Sequence, residues 1–183
     1  MASQQTIIYE HLLSDDGTQK YAEDPDWSGP VTPLVGTRDT TTDPDNPRWT
    51  GILQGGLYDR PIRRETLAAT PDAFWTTERG QNIRASGYVR APGRTRSEFG
   101  FGAYTGTCRV YLFSTRSRDG RDRLEAACLR IRELIDGWTF LDGGKRVFAE
   151  FAEFVEPYDS EEFVGAVATY CRIALVGRHG NEI

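Results

Sequence analysis

The sequence predicts an α+β fold. A mixed or antiparallel sheet, in the order strand-strand-helix-strand-strand, packs on one main helix, and a long N-terminal arm and loop region precedes it. Three observations lead there. First, apolar and polar side chains alternate with period two in three segments, which puts one set on each face of a sheet. Ile83, Ala85, Gly87 and Val89 alternate with Arg84, Ser86, Tyr88 and Arg90. Cys108, Val110 and Leu112 alternate with Arg109, Tyr111 and Phe113. Val167, Thr169, Cys171, Ile173 and Leu175 alternate with Ala168, Tyr170, Arg172 and Ala174. Second, Leu124, Ala127, Cys128, Ile131, Leu134 and Ile135 follow the spacing of one buried helical stripe. Third, residues 15–50 hold Pro25, Pro30, Pro33, Pro44 and Pro47 among Asp and Thr, which suits no regular core element.

In chain order, Ile7, Ile8, Leu12 and Leu13 mark a short helix over 4–13, ended by Asp15, Asp16 and Gly17. Trp27 and Trp49 argue against full disorder of the segment that follows. It reads as an extended arm that lies on something, such as a neighbouring subunit, or else as a mobile loop or one packed on its own domain. Residues 51–58 read as a short strand broken by glycines, and Phe74 and Trp75 anchor the ambiguous stretch 61–80. The first alternating strand spans 82–90. A long Gly- and Arg-rich loop leads to the second, at 105–115. The helix is expected from Gly120 to Asp136, with Asp119 as its N-cap, Asp122 in the first turn and Gly137 closing it. Phe148, Phe151 and Phe154 stand three apart, a period between strand and helix. Gly143-Gly144 before them and Pro157 after them favour a strand over 146–156 with mixed faces, paired to 164–176. The chain then divides into 1–80 (short helix plus Pro/Asp-rich arm, within the same domain), an α+β core at 81–178 and a tail at 179–183.

With 183 residues there is enough chain for one domain with a real core. Mean hydropathy is −0.53, and no run approaches the roughly 20 apolar residues of a membrane span. The N-terminus has no signal-peptide pattern, so no membrane partner is expected and assembly is expected in a cytoplasm. Cys108, Cys128 and Cys171 are dispersed and each falls on an apolar face. They read as buried free thiols, not as a disulfide framework or zinc site. His11 and His179 sit in no metal or triad pattern, and the paired acids Asp15-Asp16 and Glu161-Glu162 read as solvated turn residues. Gly100-Phe101-Gly102 lacks the features of a phosphate loop. No catalytic, metal or cofactor site is expected, and the chain does not read as an enzyme.

The net charge of −5 is unevenly spread. Residues 1–80 hold 7 Lys+Arg against 13 Asp+Glu, residues 81–137 hold 11 against 6, and residues 138–183 hold 4 against 8. Such an acid-base-acid order suits contacts between copies of one chain. Arg outnumbers Lys 20 to 2, and Arg is the better partner in forked interface pairs. The candidate partner surface is Arg84, Tyr88, Arg90, Arg109 and Tyr111 on the outward face of one hairpin, with Arg94 and Arg96 at its cap. Leu129 and Arg132 add to it from the charged face of the helix. Interleaved Arg and Tyr can also track phosphates and stack bases, so a nucleic-acid-binding module is the alternative.

The phrases Gly56-Leu57-Tyr58-Asp59-Arg60-Pro61, Thr70-Pro71-Asp72-Ala73-Phe74 and Ile131-Arg132-Glu133-Leu134-Ile135, with Ile83–Arg90 and the last strand pair, span roughly residues 55–176. There the chain resembles the tail-terminator and tail-completion (head-tail joining) proteins of tailed bacteriophages. The resemblance implies a structural virion protein of the tail-neck junction. Such a subunit forms a ring, commonly a homohexamer, caps the tail tube protein and docks the head-side connector or stopper protein, with DNA only passing through the lumen. Another neck or head-completion protein is a further alternative. Residues 15–50 have no counterpart in this resemblance.

Overall fold

The computed structural model describes residues 2–18, 31–42, 48–62, 84–91, 94–96, 104–163 and 165–178, with side chains throughout except at 94–96, 104, 105 and 178. The elements are α1 (Gln4–Leu13), β1 (Arg38–Asp39), β2 (Arg48–Trp49), β3 (Leu57–Tyr58), β4 (Ser86–Arg90), β5 (Arg94–Arg96), β6 (Tyr104–Thr115), α2 (Arg118–Ile135), β7 (Thr139–Asp142), β8 (Lys145–Phe154), β9 (Tyr158–Asp159) and β10 (Ala166–Arg178). The fold is α+β. One curled mixed sheet runs in the order β3-β4-β6-β10-β8-β7, with β5 on β6 and β9 on β10, and β1-β2 form a separate ribbon. Only the β3–β4 pair is parallel among the described strands.

The centre of the sheet is the long antiparallel pair β6–β10, in unbroken register from Ala166 opposite Thr115 to Gly177 opposite Tyr104. Its inner face carries the side chains that alternation assigns to the core. Cys108, Val110, Leu112, Val167, Cys171, Ile173 and Leu175 are all buried against Leu124, Ala127, Cys128, Ile131 and Ile135 of α2. Two helices contribute, because Ile8 and Leu12 of α1 enter the same cluster fully buried. α1 also bridges the two ends of the sheet. Its Gln5 carboxamide meets Asp59 O and the Ala91 N–H beside β3 and β4. Gln4 Nε2 donates to Asp142 Oδ2 at the end of β7 (2.8 Å). His11 stacks on Trp138 at 3.7 Å and contacts Leu134 O through Nε2. A sheet whose first and last strands both reach a ten-residue helix must curl.

Several expectations need correction. Helix α2 begins at Arg118, because Ser117 and not Asp119 caps it: Ser117 is extended and its hydroxyl accepts from Gly120 N (3.1 Å). Asp119 instead lies in the first turn, where its charge favours the helix dipole. Gly120 is required there, since a Cβ would stand 2.0 Å from Thr115 O. The strand over 51–58 shrinks to Leu57–Tyr58, preceded by a turn strapped to residues 33–35. Gly51 N, Ile52 N and Leu53 N donate to Val35 O, Pro33 O and Leu34 O. Leu34 and Val35 are fully buried, so this part of the Pro-rich segment packs on its own domain. Strand β7 was not expected. It forms a hairpin with β8 across Gly143 and Gly144, both at positive φ, as a two-residue turn demands.

The three-residue phenylalanine period is resolved by a β-bulge. In β8, Phe151 faces Ile173 of β10 while Glu153 faces Arg172, leaving Ala152 as the extra residue. The slip puts Phe151 and Phe154 on the same, inner side, and Glu150 and Glu153 on the other. Phe148, before the bulge, lies on the outer face opposite Val176. The inner face is therefore apolar, while the outer face keeps the expected mixture, Phe148 beside Glu150 and Glu153. The free edge of β8 beyond β7 is covered locally: Ala149 N donates to Trp138 O and Phe151 N to Asp136 Oδ1, both at 2.9 Å.

Asp15, expected to be solvated, is buried. Its carboxylate takes Arg130 Nε at 2.8 Å and Nη2 at 2.5 Å, and accepts Leu34 N (2.7 Å) and Gly17 N (3.0 Å). Both side chains are 2% exposed or less. Arg130 also donates to Glu133 Oε2 (2.8 Å) and Thr18 O (3.0 Å). Burial alone would raise the Asp15 pKa, but the hydrogen bonds from Arg130, Gly17 and Leu34 outweigh it and hold the carboxyl below the usual range.

Removing one partner strands the other charge, which costs about 3–5 kcal/mol in a buried pair. Asp15→Ala should therefore lower the unfolding free energy by about 3 kcal/mol or more in urea titrations; a loss under about 1 kcal/mol would show the pair to be dispensable. Because the folded pKa is depressed, the stabilisation is present above the unfolded value near pH 3.9 and is lost as pH falls through the folded pKa. Asp15→Asn should flatten that acid limb. Ile131→Asp should abolish folding, since Ile131 is fully buried; a cooperative melt like the parent's would overturn the helix phase.

Candidate interaction surface

The face of the sheet away from α2 carries rows of polar side chains set by strand register. Tyr88 of β4 stands opposite Tyr111 of β6, which stands opposite Tyr170 of β10. The next row is Arg90, Arg109 and Arg172, followed by Glu153 of β8. Three guanidiniums side by side would repel. Two of the three have partners of their own. Arg172 Nε sits 2.9 Å from Glu153 Oε1, a charge contact whose hydrogen-bond geometry is off-line. Arg109 donates to Tyr111 Oη (3.4 Å) and lies 5.2 Å over the Tyr170 ring. The Tyr111 hydrogen bond, with Tyr170 and Glu153 nearby, raises the Arg109 pKa, so this residue stays charged.

The Tyr row is a ladder. Tyr88 and Tyr111 stack at 4.9 Å with planes 17° apart, and Tyr111 meets Tyr170 at 5.6 Å and 45°. At the Tyr88 end a second core forms from Ile62, Tyr88, Phe113, Phe163, Ala166 and Ala168, with Phe163 edge-on to Phe113. The expected outward face is thus corrected: Tyr88 is buried because this cluster covers it, and Arg84 is buried as well. Arg90 and Arg109 are exposed and Tyr111 is half-buried. Arg94 and Arg96 lie in β5, paired to β6, with side chains outside the described residues. The hairpin residues Arg90, Arg109 and Tyr111 do come together. Tyr170, Arg172 and Glu153 belong with them and were missed, although alternation had already put Tyr170 and Arg172 on a polar face. Strand register, which no local pattern reveals, joins them to the hairpin.

Further along the same face the surface turns apolar. Phe148 and Val176 are directly opposed, and Leu141, 65% exposed, stands diagonal to Phe148 across β7. On the other side of the sheet, α2 presents Leu129, 51% exposed, in a groove of about 680 Å³. Ile52 and Ala126 line that groove with Asp119, Asp122, Arg123 and Glu133. Arg132 does not join Leu129 as a free charge. It contacts Asp136 at 3.4 Å, which also takes the Phe151 N–H, so it supports the sheet edge.

Among the described residues no group of three or more His, Cys, Asp or Glu is placed to hold a metal ion. No described helix is long and apolar enough to cross a membrane. His11 is engaged by Trp138 and Leu134, and His179, Trp27, Phe74 and Trp75 lie outside the described residues. No protein-family model matches the chain, and no curated protein matches its sequence.

The ladder should be energetically real. A double-mutant cycle with Tyr88→Leu and Tyr111→Leu should give a coupling of about 0.5–1.5 kcal/mol in thermal or urea unfolding, the range for stacked aromatic pairs. Strictly additive losses would mean that the rings merely fill space.

Proposed function

We propose that this chain is a non-enzymatic structural subunit of the phage tail-neck junction. In this reading it is a tail terminator that closes into a homo-oligomeric ring, a hexamer, caps the tail tube and docks the head-side connector, with DNA passing through the lumen. Its place is the virion, after assembly in the host cytoplasm. The observation that carries the reading is the pair of unlike apolar surfaces on opposite sides of one sheet: Leu129 on the α2 side, and Leu141, Phe148 and Val176 on the outer face. Identical subunits joined through two different patches meet head to tail, and such contacts close into rings when the rotation permits. The resemblance over 55–176 supplies the tail-neck context. Within it, α2 acts as the main packing helix of a ring subunit.

The Arg90–Arg109–Arg172 row favours one other reading, a nucleic-acid-binding module. Two features weigh against it. Base stacking needs open ring faces, and Tyr88 and Tyr111 spend theirs on each other. Glu153 also sits in the same row as the arginines.

Light scattering across concentration, with negative-stain images, tests the assembly. The parent chain should form closed rings, alone or on added tail tubes. Leu129→Asp and Phe148→Asp should each leave a folded monomer while reducing assembly at least tenfold, a cost of about 1.4 kcal/mol per contact. Assembly equal to the parent's in both variants would refute the two-patch arrangement. DNA binding that weakens steeply with salt, with no rings at any concentration, would favour the module.

A further inference from the structure

Two of the three cysteines, 43 residues apart in the chain, meet in the core. The Cys171 thiol on β10 donates to Cys128 Sγ on α2 across 3.3 Å. Cys108 stands elsewhere: in the β6–β10 register it faces Ile173, its thiol points to Arg109 O at 3.9 Å, and burial pushes its pKa up to about 12. Beside the pair lies a cavity of about 350 Å³, lined by Arg121, Leu124, Glu125, Cys128, Phe154 and Thr169 among others. Cys128 is therefore the member of the pair that borders open space, and Cys171 lies behind it. The bulge at Ala152 helps to build this cavity, since it turns Phe154 to the α2 side as one wall.

We propose that Cys128 and Cys171 are a redox-active dithiol, a modification site that small-molecule disulfides entering this cavity convert to an intramolecular disulfide. Cys128 gives its proton to solvent, and its sulfur, which accepts the Cys171 S–H, attacks one sulfur of the incoming disulfide. That S–S bond breaks, one thiolate departs and takes a proton from solvent, and a mixed disulfide remains on Cys128. Cys171 then gives its proton to solvent and attacks Cys128 Sγ. The protein disulfide forms and the second small thiol leaves. Two protein thiols are oxidised and one small disulfide is reduced to two thiols, so atoms and electrons balance. The sulfurs must close by about 1.2 Å to reach a bond of about 2.05 Å. The product staples α2 to β10 at the middle of the core. The hydrogen bond to Cys128 and burial keep the Cys171 thiol protonated well above the ordinary range, so the second step should quicken as pH rises.

The test uses the native full chain and oxidised glutathione as the probe. After incubation, free thiols are alkylated under denaturing conditions and the protein is mapped by mass spectrometry. The expected product carries one alkyl group, on Cys108, and one linked peptide pair holding Cys128 and Cys171, at a rate that increases with pH. Cys108→Ser should give the same link. Cys171→Ser should stall as a glutathione adduct on Cys128. Three alkylated cysteines after prolonged exposure, or a link or adduct at Cys108, would overturn the proposal. Should Cys171→Ser fail to fold, the map of the parent chain decides alone.

Discussion

The buried ion pair between Arg130 and Asp15 is the constraint on which the rest of this structure depends. An isolated buried charge costs several kcal/mol, so an arginine facing inward from the middle of α2 forces other parts of the chain to come to it. Asp15 does so from the end of α1, Thr18 offers its carbonyl, and Leu34 spends its N–H on the same carboxylate. Once these groups are fixed, α1 is held where it can bridge both ends of the curled sheet. Residues 33–35 are held where Gly51, Ile52 and Leu53 can bond to their carbonyls. The described parts of the N-terminal region are thus built into the domain through this buried ion pair, the polar contacts of Gln4, Gln5 and His11 with the rest of the domain, and the apolar burial around them.

The sheet then divides the molecule into a packed side and a working side. Inside, α1 and α2 cover the alternating apolar residues of β6, β8 and β10. Outside, among the described residues, a second cluster closes the end near Tyr88 and Phe113. What remains is a strip running from paired Arg and Tyr side chains to the exposed Leu141, Phe148 and Val176. The helix adds Leu129 on the opposite side. Unlike patches on opposite sides are what a head-to-tail assembly needs, and the proposed ring subunit rests on them.

Much of the fold was legible in the sequence, and the limits have physical causes. Period-two alternation assigned the faces of β4, β6 and β10, and helical spacing found the α2 stripe, because both signals are local. The Ser117 cap was missed because several residues near the helix start, Asp119 among them, have suitable oxygens, and only backbone conformation selects one. β7 escaped because four residues carry little period, although Gly143-Gly144 was a hairpin signal. A single inserted residue, Ala152, disguised β8 by shifting its phase. The burial of Asp15 depended on an arginine 115 positions away, and the Cys128–Cys171 contact on a helix-strand crossing. The polar surface was half visible. Alternation marked its residues, while register decided that Arg172 and Tyr170 stand beside Arg109 and Tyr111, and tertiary cover removed Arg84 and Tyr88 from it.

If the Arg130–Asp15 contact organises the N-terminal region, the Leu34 amide that bonds Asp15 should behave as a core amide although it lies in a proline-flanked loop. Native-state hydrogen exchange reads this directly. The account predicts that Leu34 N–H exchanges only through global unfolding, with the same free energy as amides of the central β6–β10 pair. Exchange at the rate of an open loop, while β6 and β10 stay protected, would contradict it.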